Sequence, residues 1–330
     1  MSTQKFATQA LHAGHNVSEN GGTRAVPIYQ STAYVFNSSD HAANLFALAE
    51  PGNIYTRINN PTNDVLEQRL AALEGGIAAV VTASGTAAIA TSLLTLLKAG
   101  DHIVASSSLY GGTYNLLSVT LPRHGITTTF VDPSSAENFQ RAAQENTRAF
   151  FIESLGNPKL DVLDIEAISK EAKAYKVPLI VDNTVATPYL LNPIAYGANI
   201  VIQSLTKYIN GNGTALGGAI IDAGTFDWGS GKFPEFTEPS AGYHGLIYNE
   251  VIGAASFIAK VRIEGLRDYG AALSPFNAFQ IIQGLETLEV RIQKHSENAL
   301  ELAQWLQKQA NVEWVNYPGL DSSPYKALAD

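Results

Sequence analysis

The chain of 330 residues contains no cysteine. That single absence excludes disulfides, thiolate metal sites and cysteine nucleophiles, and it fits a reducing compartment. Charge is also scarce: 15% of residues are charged against 45% hydrophobic, the balance of a compact globular protein with a large core. Basic residues are outnumbered, 21 Lys and Arg against 30 Asp and Glu, for a net charge of -9. Phosphate backbones would be repelled over most of such a surface, which weighs against nonspecific nucleic-acid binding. Long apolar runs are missing too. None approaches the length of a bilayer span, and Met1–Phe6 lacks the apolar centre of a signal peptide. A soluble, cytoplasmic protein with no membrane partner is the expectation. The histidines form no ligand pattern, His12 and His15 included, so no metal site is expected.

What is present is a rhythm. Residues 1–60 read as irregular. From Pro61–Thr62–Asn63, a helix-start signal, Leu66, Leu70 and Leu73 mark one apolar face that Gly75–Gly76 stops. Short apolar runs then alternate with helix-length segments: Ala79–Val81, Ile103–Val104, Thr128–Val131, Phe150–Ile152, Leu179–Val181, Ile200–Ile202 and Ala219–Ile221. Seven such runs predict a mostly parallel α/β sheet covered on both faces. Residues 223–243, rich in Gly, Pro and aromatics, predict a long ordered loop. A helical region follows, with a break at Ser274–Pro275. Trp314–Pro318 reads as a strand entering a new α+β unit.

Two of the runs end on reactive side chains. Asp182 ends one, and Lys207 follows another within Ser204–Leu205–Thr206–Lys207–Tyr208. In an open parallel sheet the C-terminal ends of strands converge on one crevice. A lysine amine that bonds an aldehyde, with an aspartate for a pyridinium nitrogen, is what pyridoxal 5'-phosphate (PLP) requires. PLP is therefore the expected cofactor. Ser204 and Thr206 offer hydroxyls to its phosphate, and Gly211, Gly213, Gly217 and Gly218 admit close backbone approach.

Taken singly, each residue has a plainer reading beside the functional one. Lys207 is also a surface lysine, and Asp182 a helix cap. Ser84–Gly85–Thr86, before a helix running from Ala87 to Lys98, presents free N–H groups and a positive dipole end to a phosphate, or is simply a cap through Thr86. Tyr110 either stacks on an aromatic cofactor or packs at a helix start. Arg57 suits a phosphate, or stands exposed on its loop. Asn157 meets the phenolic oxygen of the cofactor, or shapes a turn with Pro158.

Together, Tyr55–Thr62, Ser84–Ala88, Tyr110–Thr113, Val181–Thr184 and Ser204–Tyr208 resemble the Cys/Met-metabolism family of PLP enzymes along essentially the whole chain. Within it the likeness is greatest to the O-acetylhomoserine sulfhydrylases, through Gly231–Pro239 and Tyr243–Gly245. Gly112 stands where methionine γ-lyases carry a cysteine. The resemblance implies a PLP-dependent transferase fold (aspartate-aminotransferase-like, fold type I). Residues 1–60 would form an arm contacting a neighbouring subunit, 61–260 a PLP-binding α/β domain, and 261–330 the start of a C-terminal α+β substrate domain. It implies that Lys207 holds PLP and shuttles protons, and that Asp182 pairs with the pyridinium. Tyr110 would stack on the ring and assist proton transfer, with Asn157 and Thr184 flanking it. Gly85, Thr86, Ser204 and Thr206 would bind the phosphate, joined by Tyr55 and Arg57 of a neighbouring subunit, so that active dimers build a homotetramer.

The implied reaction joins O-acetylhomoserine and sulfide into homocysteine and acetate, in methionine biosynthesis. Cystathionine γ-synthase and methionine or cystathionine γ-lyase are the alternatives within the family. The family's arginine motif for the substrate carboxylate is not found before Asp330. A C-terminal domain that is incomplete, and hence a PLP-binding subunit without catalysis, is the alternative of a different class.

Overall fold

The computed structural model describes residues 4–330. At its centre lies a seven-stranded sheet: β1 (Ala78–Thr82), β2 (His102–Ser106), β3 (Thr127–Val131), β4 (Thr147–Glu153), β5 (Leu179–Asp182), β6 (Ile200–Gln203) and β7 (Gly218–Asp222). Every expected apolar run falls inside one of these strands. The spatial order is β1-β7-β6-β5-β4-β2-β3. Strands β2 to β6 pair in parallel, while β7 runs antiparallel to both its neighbours, β1 and β6. A strand covered on both faces must be apolar at every position, and alternate residues feed two cores. Val81, Val201 and Ile221 face one; Val80, Ile202 and Ile220 face the other.

Helices close both faces. The arm is less irregular than its composition suggests, since it holds α1 (Phe6–His12) and α2 (Ser39–Phe46). Ala10 of α1 is buried. The helix α3 (Pro61–Glu74) forms as its sequence dictates. The Asn60 side chain accepts from Thr62 N–H, Pro61 occupies the first turn, and Gly75 ends the helix at φ 76°. Leu66, Leu70 and Leu73 bury its apolar face in the first core. On the opposite face α4 (Gly85–Leu96) places Ala88, Ile89 and Leu93 in the second core. It starts two residues earlier than expected, because Ser84 rather than Thr86 is the cap: its hydroxyl accepts from Ala87 N–H at 3.1 Å.

The segment 223–243 is an ordered loop with one helical turn, Pro234–Thr237. Trp228 pins it, with ring centroids 4.4 Å from Phe236 and 5.4 Å from Phe257. The expected break precedes a helix at Pro275–Leu285, which the longer helix Leu288–Leu306 follows. One expectation fails. Residues 314–318 form no strand: they share no ladder with any described residue, and Trp314 is 76% exposed. Alternating side chains alone do not make a strand, which exists through the ladder it shares. Among the described residues no helix is long and apolar enough to cross a membrane.

Candidate active site

A cavity of about 770 Å³ opens where the C-terminal ends of the parallel strands meet the start of α4, a size suited to a cofactor. The geometry begins with β4 and β5, whose register sets Glu153 beside Asp182. Asp182 is buried, and its Oδ1 accepts from Thr184 N–H at 3.1 Å and Thr184 Oγ1 at 2.5 Å. Among the described residues no donor reaches Oδ2. Burial raises its carboxyl from 3.8 to about 6. Asp182 caps no helix, because the next one is preceded by Ala186.

A second corner is built for an anion. The opening turn of α4 leaves its first N–H groups without intrahelical partners. Ser204, after β6, lies directly against this turn. A Cβ placed on Gly85 would stand 2.6 Å from Ser204 Cβ and 2.8 Å from its hydroxyl oxygen, so only glycine permits the approach. Ser204 N–H in turn donates to Thr184 Oγ1 at 2.8 Å, joining the anion corner to the Asp182 floor. Thr206 lines the cavity, but its hydroxyl is engaged: it exchanges two hydrogen bonds of 3.1 Å with the backbone of Gly217.

Lys207 lies on a turn at the mouth, exposed, with no ion pair or hydrogen bond to its Nζ among the described residues. Tyr110 and Asn157 line the walls. The Tyr110 ring, 51% exposed, folds back over Gly112, where a Cβ would meet ring Cε1 at 2.5 Å. Residue 112 thus has room for no side chain while the ring stays there. Tyr55 and Arg57 do not line the cavity. The Arg57 guanidinium donates to the Arg267 carbonyl and lies 5.4 Å above the Tyr55 ring.

Three ionisable lining residues escaped the sequence reading: Glu153, Arg291 and His295. Glu153 carried one signal, since it ends an apolar run just as Asp182 does. Its Oε1 accepts the Tyr110 N–H at 2.6 Å. Burial, then the Asp182 charge, push its carboxyl from 4.5 up to about 8. Arg291 and His295 sit one turn apart on a helix far along the chain, where no local pattern marks them.

The residues present fit PLP. A helix start would hold the phosphate, a buried carboxylate short of donors would suit the ring nitrogen, and an unpaired lysine would bond the aldehyde. Residues 7–330 match the Cys/Met metabolism PLP-dependent enzyme family. The chain belongs to this family. It is 57% identical to the O-acetyl-L-homoserine sulfhydrylase of Leptospira meyeri, over 98% of this chain and 75% of that one. It is 52% identical to O-acetyl-L-homoserine sulfhydrylase 1 of Thermus thermophilus, over 97% and 77%. Among solved structures, an O-acetylhomoserine (thiol)-lyase from Campylobacter jejuni superposes with a TM-score of 0.96 at 43% identity, covering 99% of this chain and 81% of that one. That structure contains N'-pyridoxyl-lysine-5'-monophosphate.

In this member of the Cys/Met-metabolism family the Glu153–Asp182 pair carries a pH signature. Glu153 has a folded value near 8 against an ordinary 4.5, so between those limits the folded state binds a proton that the unfolded chain releases. Stability from this group is full below 4.5 and is lost as pH rises to about 8. Glu153→Gln keeps the acceptor for Tyr110 N–H and removes the titration. Thermal melts without PLP are expected to fall less between about pH 5 and about pH 8 for the variant than for the parent. Equal slopes would exclude the assignment.

Proposed function

We propose that this PLP-dependent enzyme catalyses γ-replacement on O-acetylhomoserine, with sulfide as the incoming nucleophile and homocysteine and acetate as products, in methionine biosynthesis. The observation that carries the reading is the convergence of an unpaired Lys207, an under-donated Asp182 and the open start of α4 on one cavity. The named activity of relatives at 52% and 57% identity supports the choice of substrate.

Bound PLP supplies an electron-withdrawing ring that stabilises negative charge on the carbon bearing the substrate amine. The chain supplies the rest. The start of α4, with Gly85 and Thr86, binds the phosphate together with the Ser204 hydroxyl. Thr206 holds the shape of that corner through Gly217. Asp182 keeps the ring nitrogen protonated, and the ring's cation in return compensates a buried carboxylate. Tyr110 would stack on the ring, with Asn157 and Thr184 beside it. The Lys207 amine would take the proton from the substrate Cα and later return it. At Cγ the bond to acetate oxygen breaks and a bond to sulfide sulfur forms: hydrosulfide enters, acetate leaves, and the thiol keeps the proton.

Arg291 is not the free carboxylate clamp this chemistry needs, because it is committed to protein oxygens. Tyr55 and Arg57 complete the phosphate site of a neighbouring subunit, as part of an arm over 1–60 that embraces the PLP domain of 61–260. Residues 261–330 belong to the substrate domain. Active dimers assemble into a homotetramer, and the enzyme works in the cytoplasm, where its ester substrate and sulfide meet.

The deciding assay supplies O-acetylhomoserine with sulfide, with cysteine, or with neither. Homocysteine and acetate in equal amounts, formed only with sulfide, are expected. Cystathionine formed from cysteine at a higher rate would make the enzyme a synthase of that thioether. A 2-oxo acid and ammonia formed without a nucleophile would make it a γ-lyase.

A further inference from the structure

One side chain from outside holds the turn that carries Lys207 by hydrogen bonds to its carbonyls. Arg291, on the helix Leu288–Leu306, has no carboxylate partner among the described residues. It spends its donors on oxygens instead: Nη1 on the Tyr208 carbonyl at 2.7 Å, and Nη2 on those of Ile209 at 3.3 Å and Gly284 at 2.7 Å. Nε is spent on Thr287 Oγ1 at 3.1 Å. Tyr208 and Ile209 directly follow Lys207. Carbonyls at the end of a turn lack regular partners, and a planar fork can satisfy several at once where an ammonium cannot.

Two glycines pack tightly at this clamp. Gly211, at φ +71°, lies so close that a Cβ would stand 2.4 Å from Arg291 Nη1. Gly284, in the preceding helix, lies so close to the turn that a Cβ would stand 2.0 Å from the Asn210 carbonyl oxygen. The turn's own backbone bonds are Lys207 N–H to Ser204 O at 3.2 Å, Asn210 N–H to Leu205 O at 3.0 Å and Gly211 N–H to Lys207 O at 2.8 Å, and Thr206 N–H ties its start to Gly217 O at 3.3 Å. His295, one helical turn beyond Arg291, adds a ring contact to Tyr208 at 5.5 Å. Since the Lys207 side chain touches no partner, the place its amine reaches is set by this backbone alone.

We propose that Arg291 is a positioning residue, which locks the Lys207 turn to the helix Leu288–Leu306 and so aims the lysine amine at the reacting carbon. The inference rests on the reading of Lys207 as the PLP lysine.

The test compares the parent with Arg291→Met, Arg291→Ala and Arg291→Lys, each with and without PLP. In Arg291→Met without PLP, amide hydrogen exchange at Asn210 and Gly211 is expected to be several-fold faster, while that of β6 and β7 is unchanged. With PLP bound, kcat is expected to fall about 10- to 100-fold with little change in KM, the scale of a slightly misplaced catalytic group. Guanidinium ion below denaturing concentration is expected to restore part of kcat in Arg291→Ala, and methylammonium is not. Parent-like exchange and kcat in a folded Arg291→Met protein overturn the proposal. So does a rate loss matched by general loosening of the sheet and untouched by guanidinium. If neither the Met nor the Ala variant folds, Arg291→Lys decides, since a parent-like kcat there would show the fork to be unnecessary. Failure of the underlying reading shows separately, in the parent: borohydride would fix PLP to a lysine other than Lys207.

Discussion

Lys207→Ala is expected to lower turnover of O-acetylhomoserine by on the order of 10⁴-fold or more, the scale on which a covalent catalytic group is lost. The fold should not notice. The side chain is exposed and pairs with nothing among the described residues, so melting without PLP should stay within about 0.5 kcal/mol of the parent. PLP should still bind, because the start of α4 and Asp182 are untouched, but reversibly: it should dialyse away and escape fixation by borohydride. Peptide mapping of the reduced parent should place the pyridoxyl group on Lys207. A variant that turned over at the parent rate in a buffer free of amines would end the assignment.

Gly218→Ala is expected to cost about 3 kcal/mol and to weaken PLP binding more than tenfold, though it adds one methyl. A Cβ at this position would lie 2.1 Å from the Ser84 carbonyl oxygen, 2.5 Å from its carbon and 2.8 Å from Gly85 N. All three are backbone atoms, so no rotamer relieves the clash. Strand β7 cannot yield either, since β1 and β6 hold it on both edges. The start of α4 must move, and it is the anion corner. Urea melts and PLP titration read the two losses. Gly111→Ala is the control, because a Cβ there meets nothing within 4 Å. Parity of Gly218→Ala with the parent on both readouts would overturn the account of this corner.

The sheet was legible because parallel strands covered on both faces leave continuous apolar runs, such as Phe150–Ile152 and Ile200–Ile202. Helix α3 was legible because Asn60–Pro61 and Gly75 bracket it with capping chemistry that acts within a few residues. Residues whose meaning is local survive in the sequence. The Lys207 and Asp182 pairing could be anticipated because strand ends have a common direction. Arg291 was silent, and the one signal at Glu153 did not suffice, because their significance lies in what folding brings to them: two carbonyls after Lys207, and the N–H of Tyr110. Thr206 shows the converse. Its hydroxyl looked free for a phosphate, and the fold turns it onto Gly217. At Trp314–Pro318 the pattern promised a strand, yet pairing needs a second chain segment that no local pattern supplies.

The reversal at β7 also sets an order of assembly. Among the described residues strand β1 has its only ladder with β7, through pairs as distant as Thr82 with Gly218. During synthesis from the N-terminus, residues 78–96 therefore wait, apolar and unpaired, until the ribosome has delivered the strand at 218–222. Pairings of such long reach are slow and leave edges exposed in the interval. The anion corner, which joins Ser84–Gly85 to Ser204, cannot close before that moment. A nascent chain stalled short of Gly218 should accordingly lean on chaperones and ignore the cofactor, and release of β7 should be the step at which the vitamin-derived ligand first gains a grip.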